Sequence, residues 1–327
     1  MQFGVFGGAR TKRGSSPQDG HGYSSFIEYA TEADKLGFRQ LFMVEHHFTG
    51  HGQVSASMTV LAYLAAKTRH IRLGTAVVVL PWHNPVLIAE QVATLDLLSG
   101  GRVDFGIGKG YRQREFDGFC IPLAEAGERF DEAMEVIRKA WTCEGRFSHH
   151  GKRWQYDNIV VEPEPVQRPH PPFWIGTGNP ETIRHAAREG YNLLLDQLAQ
   201  IDQVARRIEI FREECGRVGR RYDPTMVATT RPLQMFHDES ERAEAWAARR
   251  RVLSVIGDLA REPMPERLED DTAPLLGLPQ EVIAKLRELE AVGATNILLV
   301  DPNASIGNLR AFARFVMPSF RPAHAAE

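Results

Sequence analysis

Eight short runs rich in Val, Ile, Leu and Phe, separated by longer stretches with helical spacing, constrain this chain more than any other feature. The runs cover residues 2–6, 40–45, 71–80, 103–107, 173–176, 192–195, 226–236 and 296–301. They lack the strict apolar–polar alternation of a strand with one wet face. They therefore read as strands buried on both sides, as in a parallel sheet. Residues 23–36 carry apolar side chains at helical spacing and stop at Gly37. Residues 84–98 open with Asn84 and Pro85, a cap followed by a first-turn proline, and stop at Gly100 and Gly101. Residues 279–292 stop at Gly293 and feed the last strand. This alternation over 327 residues predicts an α/β fold, a single (β/α)8 TIM barrel spanning residues 1–327 with no second-domain linker.

Two stretches break the rhythm. Residues 148–172 contain Pro163, Pro165, Pro169, Pro171 and Pro172 and read as a loop or short hairpin inserted before strand five. Residues 257–279 mix Pro263, Pro265 and Pro274 with the acidic run 269–271, between strands seven and eight. A long irregular segment there reads as an active-site lid or as a disordered stretch.

The net charge of −3 and the dispersed basic residues give no reason to expect a nucleic-acid or anionic-membrane partner. The one basic run, 249–251, reads as the solvated face of a helix. Cys120, Cys143 and Cys215 form no zinc-ribbon spacing, and their odd number fits a reducing compartment. No basic and then apolar leader is present, and no apolar run has the ~18 residues of a membrane span. A cytoplasmic protein is the expectation.

In such barrels the catalytic groups lie at the C-terminal ends of the strands. Strand two ends in Glu45-His46-His47-Phe48, strand three in Pro81-Trp82-His83-Asn84 and strand four in Gly106-Ile107-Gly108-Lys109-Gly110-Tyr111. Strand five runs into Gly176-Thr177-Gly178-Asn179-Pro180-Glu181-Thr182. That last turn enters a helix and reads either as a phosphate site, with Asn179 and Thr182 as added donors and Lys109 as balancing charge, or as an ordinary helix cap. A histidine beside a carboxylate reads as a tuned acid or base, or as a hydrogen-bonded structural residue. No three-ligand metal spacing accompanies His46, His47, His51 and His83, and no metal is expected. The glycines of 106–110 do not form a dinucleotide fingerprint. They mark close approach by a ligand, such as a flat ring, or by another chain segment.

At these residues the chain resembles the bacterial luciferase family of flavin monooxygenases. The likeness is carried by LFMVEHHFT (41–49), LGTAVVVLPWHNP (73–85), AEQVATLDLLSGGR (89–102), residues 103–119 and PETIRHAAREG (180–190). The resemblance implies a two-component monooxygenase. A separate NAD(P)H-dependent reductase supplies reduced FMN, which reacts with dioxygen at C4a to a hydroperoxide that oxygenates a small organic substrate. It implies that His46 is the catalytic base and that Glu45 sits beside the isoalloxazine. Ala76 and Val77 would carry a non-proline cis peptide against the ring. Lys109, Gly178, Asn179 and Thr182 would hold the FMN phosphate, and Phe48, Trp82 and Tyr111 would line the substrate pocket or act as packing aromatics. Dimerisation through helices near strands two and three is also implied. The chain departs from the light-emitting enzyme at Gly108, where that enzyme has a reactive cysteine. It departs again at Lys109, which replaces an arginine, and at Gly178 and Asn179, which replace an acidic residue and a serine. Hydride transfer with a deazaflavin and non-catalytic flavin binding are the alternative readings.

Overall fold

Helix boundaries fall where side chains can satisfy orphan backbone groups. Asn84 Oδ1 accepts the N–H groups of Val86 and Leu87 at 3.0 and 3.2 Å, Pro85 sits in the first turn, and Gly100 ends the helix with φ 68°. The computed structural model describes residues 1–11, 21–236, 238–256, 267, 270–301 and 303–320.

The elements run β1 (Gln2–Gly7), α1 (His21–Leu36), β2 (Gln40–Met43), α2 (Ser57–Lys67), β3 (Arg72–Thr75), β4 (Val78–Val79), α3 (Pro85–Ser99) and β5 (Val103–Gly108). Next come α4 (Gln113–Gly118), α5 (Ala126–Thr142), β6 (Phe147–His150), β7 (Gln155–Ile159), β8 (Phe173–Gly176), α6 (Pro180–Arg188) and β9 (Asn192–Leu195). The chain finishes with α7 (Ile201–Arg217), β10 (Val227–Met235), α8 (Arg242–Ile256), β11 (Leu275–Gly277), α9 (Pro279–Ala291), β12 (Asn296–Val300) and α10 (Ile306–Phe315). The strand order is β11-β10-β12-β1-β2-β3-β5-β8-β9, and β10 also pairs with β9. That second pairing closes eight strands into the sheet of a (β/α)8 barrel.

The chain packs as two compact units. One holds residues 1–7, 32–41 and 176–327. In it β12 pairs in parallel with β1 and β10, with Gln2 opposite Asn296 and Ala228 opposite Asn296. Phe3, Phe38, Phe312 and Phe320 close its aromatic core. The other holds residues 8–31 and 42–175. In it β5 pairs in parallel with β3, β4 and β8, and Phe42 meets Trp174 edge to face at 5.2 Å. Arg102 braces this unit by donating to the carbonyls of Ser99, Ile71, Ala65 and Thr68.

Several expectations are corrected. Run 71–80 is two strands, split at a cis Ala76–Val77 peptide, and the strand expected to reach Glu45 stops at Met43. Of the two forms expected for the insertion before strand five, a loop or a short hairpin, the chain takes the hairpin, with β6 antiparallel to β7 from Phe147. Most of the expected lid, residues 257–266 with 268 and 269, lies outside the described residues. Its far end is ordered structure, since β11 pairs with β10, Leu275 opposite Leu233. The basic run is not a wholly solvated face. Arg250 and Arg251 are exposed, but Arg249 is buried and ion-paired to Asp271 at 2.8 Å. Among the described residues no helix is long and apolar enough to cross a membrane.

Candidate active site

The tip of β2 continues as extended chain, fixed where His46 N–H donates to Val54 O at 3.0 Å. Successive side chains there point opposite ways, and the two histidines find different carboxylates. His46 Nδ1 lies 3.4 Å from Glu115 Oε1, and the same oxygen accepts the His47 N–H at 3.0 Å. His47 Nε2 lies 3.3 Å from Glu45 Oε1, and His83 Nε2 lies 3.6 Å from that atom. Ser57 Oγ donates to the other Glu45 oxygen at 2.5 Å. These groups all belong to the unit of residues 8–31 and 42–175.

Burial alone would raise the Glu45 pKa, but His47, His83 and Ser57 outweigh it and bring it down to about 2. Glu45 is thus an anion across the working pH range. Burial also works against ionisation of Glu115, and the His46 side chain, the His47 N–H and the Arg112 charge prevail, holding it below the usual carboxylate range. An ionised Glu115 can accept a proton from His46 Nδ1, and in that tautomer Nε2 carries a lone pair.

Two of the three expected pocket aromatics join this cluster. Trp82 stacks on Phe119 at 5.0 Å and meets His47 edge-on at 5.8 Å. Phe48, with φ 56°, sets its ring 5.0 Å from Phe119 while staying 50% exposed. Tyr111 stays outside, 62% exposed, with the Arg112 guanidinium 5.6 Å from its ring. Ala76 N–H donates to Met43 O at 2.7 Å, so the cis Ala76–Val77 peptide follows the tip of β2.

The glycines of residues 106–110 answer to the chain itself. A Cβ on Gly106 would lie 1.7 Å from Thr75 O, and one on Gly108 would lie 2.5 Å from a Val77 methyl. Gly110, with φ 74°, is crowded by Val79 and Phe116. Lys109 points to α5, with Nζ 3.4 Å from Asp131 Oδ1 and 5.1 Å from the Phe130 ring centre.

In the other unit, the turn after β8 caps α6. Asn179 Oδ1 accepts the Thr182 N–H at 3.1 Å, and Thr177 Oγ1 accepts the Asn179 N–H at 3.1 Å. A Cβ on Gly178 would lie 2.7 Å from the Arg207 guanidinium carbon, and Arg207 is held by Asp196 at 2.9 Å. Glycine here admits a guanidinium beneath the turn.

Sequence reasoning missed Glu115, Ser57, His83 as a partner of Glu45, Phe119 and Arg207. Only tertiary closure brings them to these positions. Among the described residues no three His, Cys, Asp or Glu side chains form a metal-holding group. An open cleft of about 550 Å³ against α5 and the hairpin, lined by Glu132, Glu135, His149 and His150 among others, contains none of the expected site residues.

The fit to a flavin can be tested on these residues. Trp82 Nε1 is buried and has no hydrogen-bond partner among the described residues, so the cluster holds an open donor for a bound heterocycle. The Ala76–Val77 peptide, tied by the Ala76 N–H to Met43 O, is cis.

The pattern of the luciferase-like monooxygenase family matches residues 1–296. The uncharacterized protein y4vJ of Sinorhizobium fredii is 35% identical over 172 residues, 53% of this chain and 49% of that one. The chain thus spans about half the length of that curated relative. The oxygenase component of the flavin-dependent trigonelline monooxygenase of Acinetobacter baylyi is 27% identical over 295 residues, 83% of this chain and 81% of that one. The crystal structure of the monooxygenase RslO1 from Streptomyces bottropensis superposes with a TM-score of 0.85 at 27% identity, covering 98% of this chain and all of that one. With the matched residues including the whole His46 cluster, this chain belongs to the luciferase-like monooxygenase family.

Proposed function

We propose that this protein is the oxygenase of a two-component system, using reduced FMN from a separate NAD(P)H-dependent reductase and dioxygen to oxygenate a small organic substrate. The observation that carries the reading is the His46–Glu115 pair at the tip of β2, followed by the cis Ala76–Val77 peptide. The name of the trigonelline relative, a flavin-dependent oxygenase component, supports the same division of labour. Bound reduced FMN would supply the electrons and activate dioxygen.

The chain's own residues do the rest. His46 moves the proton through Nε2, and Glu115 fixes the tautomer that leaves Nε2 free. Glu45 keeps His47 and His83 in place as a permanent anion beside the ring. Ala76 and Val77 seat the ring, and Trp82 Nε1 offers it, or the substrate, a donor. Trp82, Phe48 and Phe119 exclude water from the reacting groups, with Tyr111 at the exposed edge. For the phosphate we assign the N-terminus of α6, with Gly178, Asn179 and Thr182 above the Arg207 guanidinium. Lys109 is a further candidate for that anion, tested separately by Lys109→Met. A homodimer is part of the same proposal.

The test is a flavin titration followed by turnover. Reduced FMN should bind saturably and more tightly than a reduced deazaflavin. With a screened substrate, dioxygen uptake should exceed hydrogen peroxide release. His46→Asn should bind FMN normally and lose turnover by about 10²–10⁴-fold, the usual span for a general acid or base. Absence of saturable FMN affinity in either redox state would remove the proposal.

A further inference from the structure

Four residues along α4 share one face. Arg112, Glu115, Phe116 and Phe119 are spaced as helical neighbours, and the backbone keeps that register. The Glu115 and Phe116 N–H groups donate to Arg112 O at 3.0 and 3.3 Å, and the Phe119 N–H donates to Glu115 O at 3.1 Å. Three of the four have partners in the site. Glu115 meets His46 and the His47 N–H. Phe116 meets Trp82 edge-on at 5.0 Å, and Phe119 stacks on Trp82 at 5.0 Å. Burial, His46 and the His47 N–H act on the Glu115 carboxyl first, and the Arg112 charge lowers its pKa further. All these residues belong to the unit of residues 8–31 and 42–175.

Arg112 itself is left with little to hold. Its Nε donates to Tyr111 Oη at a long 3.4 Å, and its guanidinium carbon lies 5.6 Å from that ring centre. Among the described residues it makes no ion pair, whereas nearby Lys109 faces Asp131 and Asp117 takes Gln113 Nε2. The two Nη groups of an arginine form a fork that matches a carboxylate at two points.

The aromatic side of the site supplies the other half. Phe48 has a left-handed backbone, φ 56°, rare for a bulky residue. Burial does not account for it, since Phe48 is 50% exposed. Its ring fills the space that Gly118 leaves, where a Cβ would lie 2.3 Å away. Cys120, next to Phe119, is left-handed too, with φ 56°. Such conformations gather where a ligand is held. Among these rings Trp82 Nε1 is a donor without a partner. Walls of flat rings favour a flat ring between them.

We propose that the substrate of this site is a planar aromatic acid, with its ring against Phe48, Phe119 and Trp82 and its carboxylate held by Arg112. Arg112 is then a specificity-determining residue. It shares a helix face with Glu115, so the anchored acid lies beside the carboxylate that serves His46. That the acid is oxygenated rests on the oxygenase reading above, while its binding rests only on these side chains.

The full chain is titrated calorimetrically, with and without FMN, against benzoate, 4-hydroxybenzoate and 2-naphthoate, their carboxamides, and cyclohexanecarboxylate. At least one aromatic acid should bind about tenfold tighter than its amide and than cyclohexanecarboxylate. Arg112→Met should remove the preference for acid over amide and leave the amide affinity unchanged, and Arg112→Lys should restore part of it. Damage to the site through Glu115 alone would weaken acid and amide alike and would overturn the proposal. So would a wild type in which no acid outbinds its amide, a comparison that holds whether or not the variants fold. Equal affinity for cyclohexanecarboxylate overturns the planar class. Loss of FMN affinity with riboflavin affinity intact in Arg112→Met would assign the guanidinium to the flavin phosphate and overturn the proposal too. An Arg112-dependent acid preference in a chain with no saturable FMN affinity would remove the oxygenase reading and leave the acid site standing.

Discussion

Oε1 of Glu115 is shared, 3.4 Å from His46 Nδ1 and 3.0 Å from the His47 backbone nitrogen. One carboxylate thus sets both the tautomer of the proposed proton carrier and the path of the chain that presents it. Glu115→Gln keeps the shape but can offer an amide N–H where Nδ1–H now points. Turnover should fall by about 10²-fold, the low end of the range for general acid–base catalysis. FMN affinity should change little. A pH–rate profile checks the role, because a purely structural effect would lower the curve without moving its inflection.

Glu45 makes a second, opposite use of a carboxylate. Its pKa lies near 2, against 4.5 for a free side chain, so it binds fewer protons folded than unfolded. The sign follows: its stabilisation is present above about pH 4.5 and is lost as pH falls toward 2. The shift is on the order of 3 kcal/mol. The stability difference between wild type and Glu45→Gln should be large at pH 6 and shrink steadily between pH 4.5 and 2. Urea unfolding at several pH values measures it, and a constant difference would contradict the assignment.

How much of this was legible in the sequence depends on distance along the chain. The strand tips were legible because buried parallel strands announce themselves by unbroken apolar runs, and the tips of such a barrel are where side chains converge. That logic reached Glu45, His46 and Trp82. It did not reach Glu115, which sits on α4, a helix of 6 residues, too short to show a period. It did not reach Ser57, which opens α2, a helix whose sequence is only weakly amphipathic. Arg249 looked like part of a solvated run because the partner that buries it, Asp271, lies 22 residues away. The glycines of residues 106–110 stand out in the sequence, but only the structure shows which neighbour crowds each one.

Gly106 makes that last point testable. A side chain there would drive into Thr75 O, whose own Oγ1 donates to Gly106 O at 2.7 Å and accepts the Gly106 N–H at 2.9 Å. The neighbour is backbone and cannot swing away. Gly106→Ala should destabilise by about 1–3 kcal/mol or more through forced strand separation. Calorimetry of the flavin-free protein should show the loss. An unchanged midpoint with weakened FMN binding would instead restore the reading of these glycines as room for a ring.

Gly178 is crowded by a side chain, and the outcome differs accordingly. Gly178→Ala pushes on the Arg207 guanidinium, which Asp196 anchors. If that guanidinium supports the phosphate turn, FMN affinity should fall about tenfold, roughly 1.4 kcal/mol. Affinity for riboflavin, which has no phosphate, should hold. Parallel fluorescence titrations with the two flavins separate this from general damage, which would weaken both.

The Arg249–Asp271 pair gives the sharpest stability prediction, because both partners are nearly without solvent, 4% exposed each. Removing one partner from such a pair leaves a bare charge. Asp271→Asn should therefore cost about 3–5 kcal/mol. Replacing both partners, Arg249→Met with Asp271→Leu, removes the charges together and should recover most of the loss. A double variant as unstable as the single one would mean that the hydrogen bonds of Asp271 to Gln200 and Ala273 hold the 270–273 segment in place, and that the ion pair adds little.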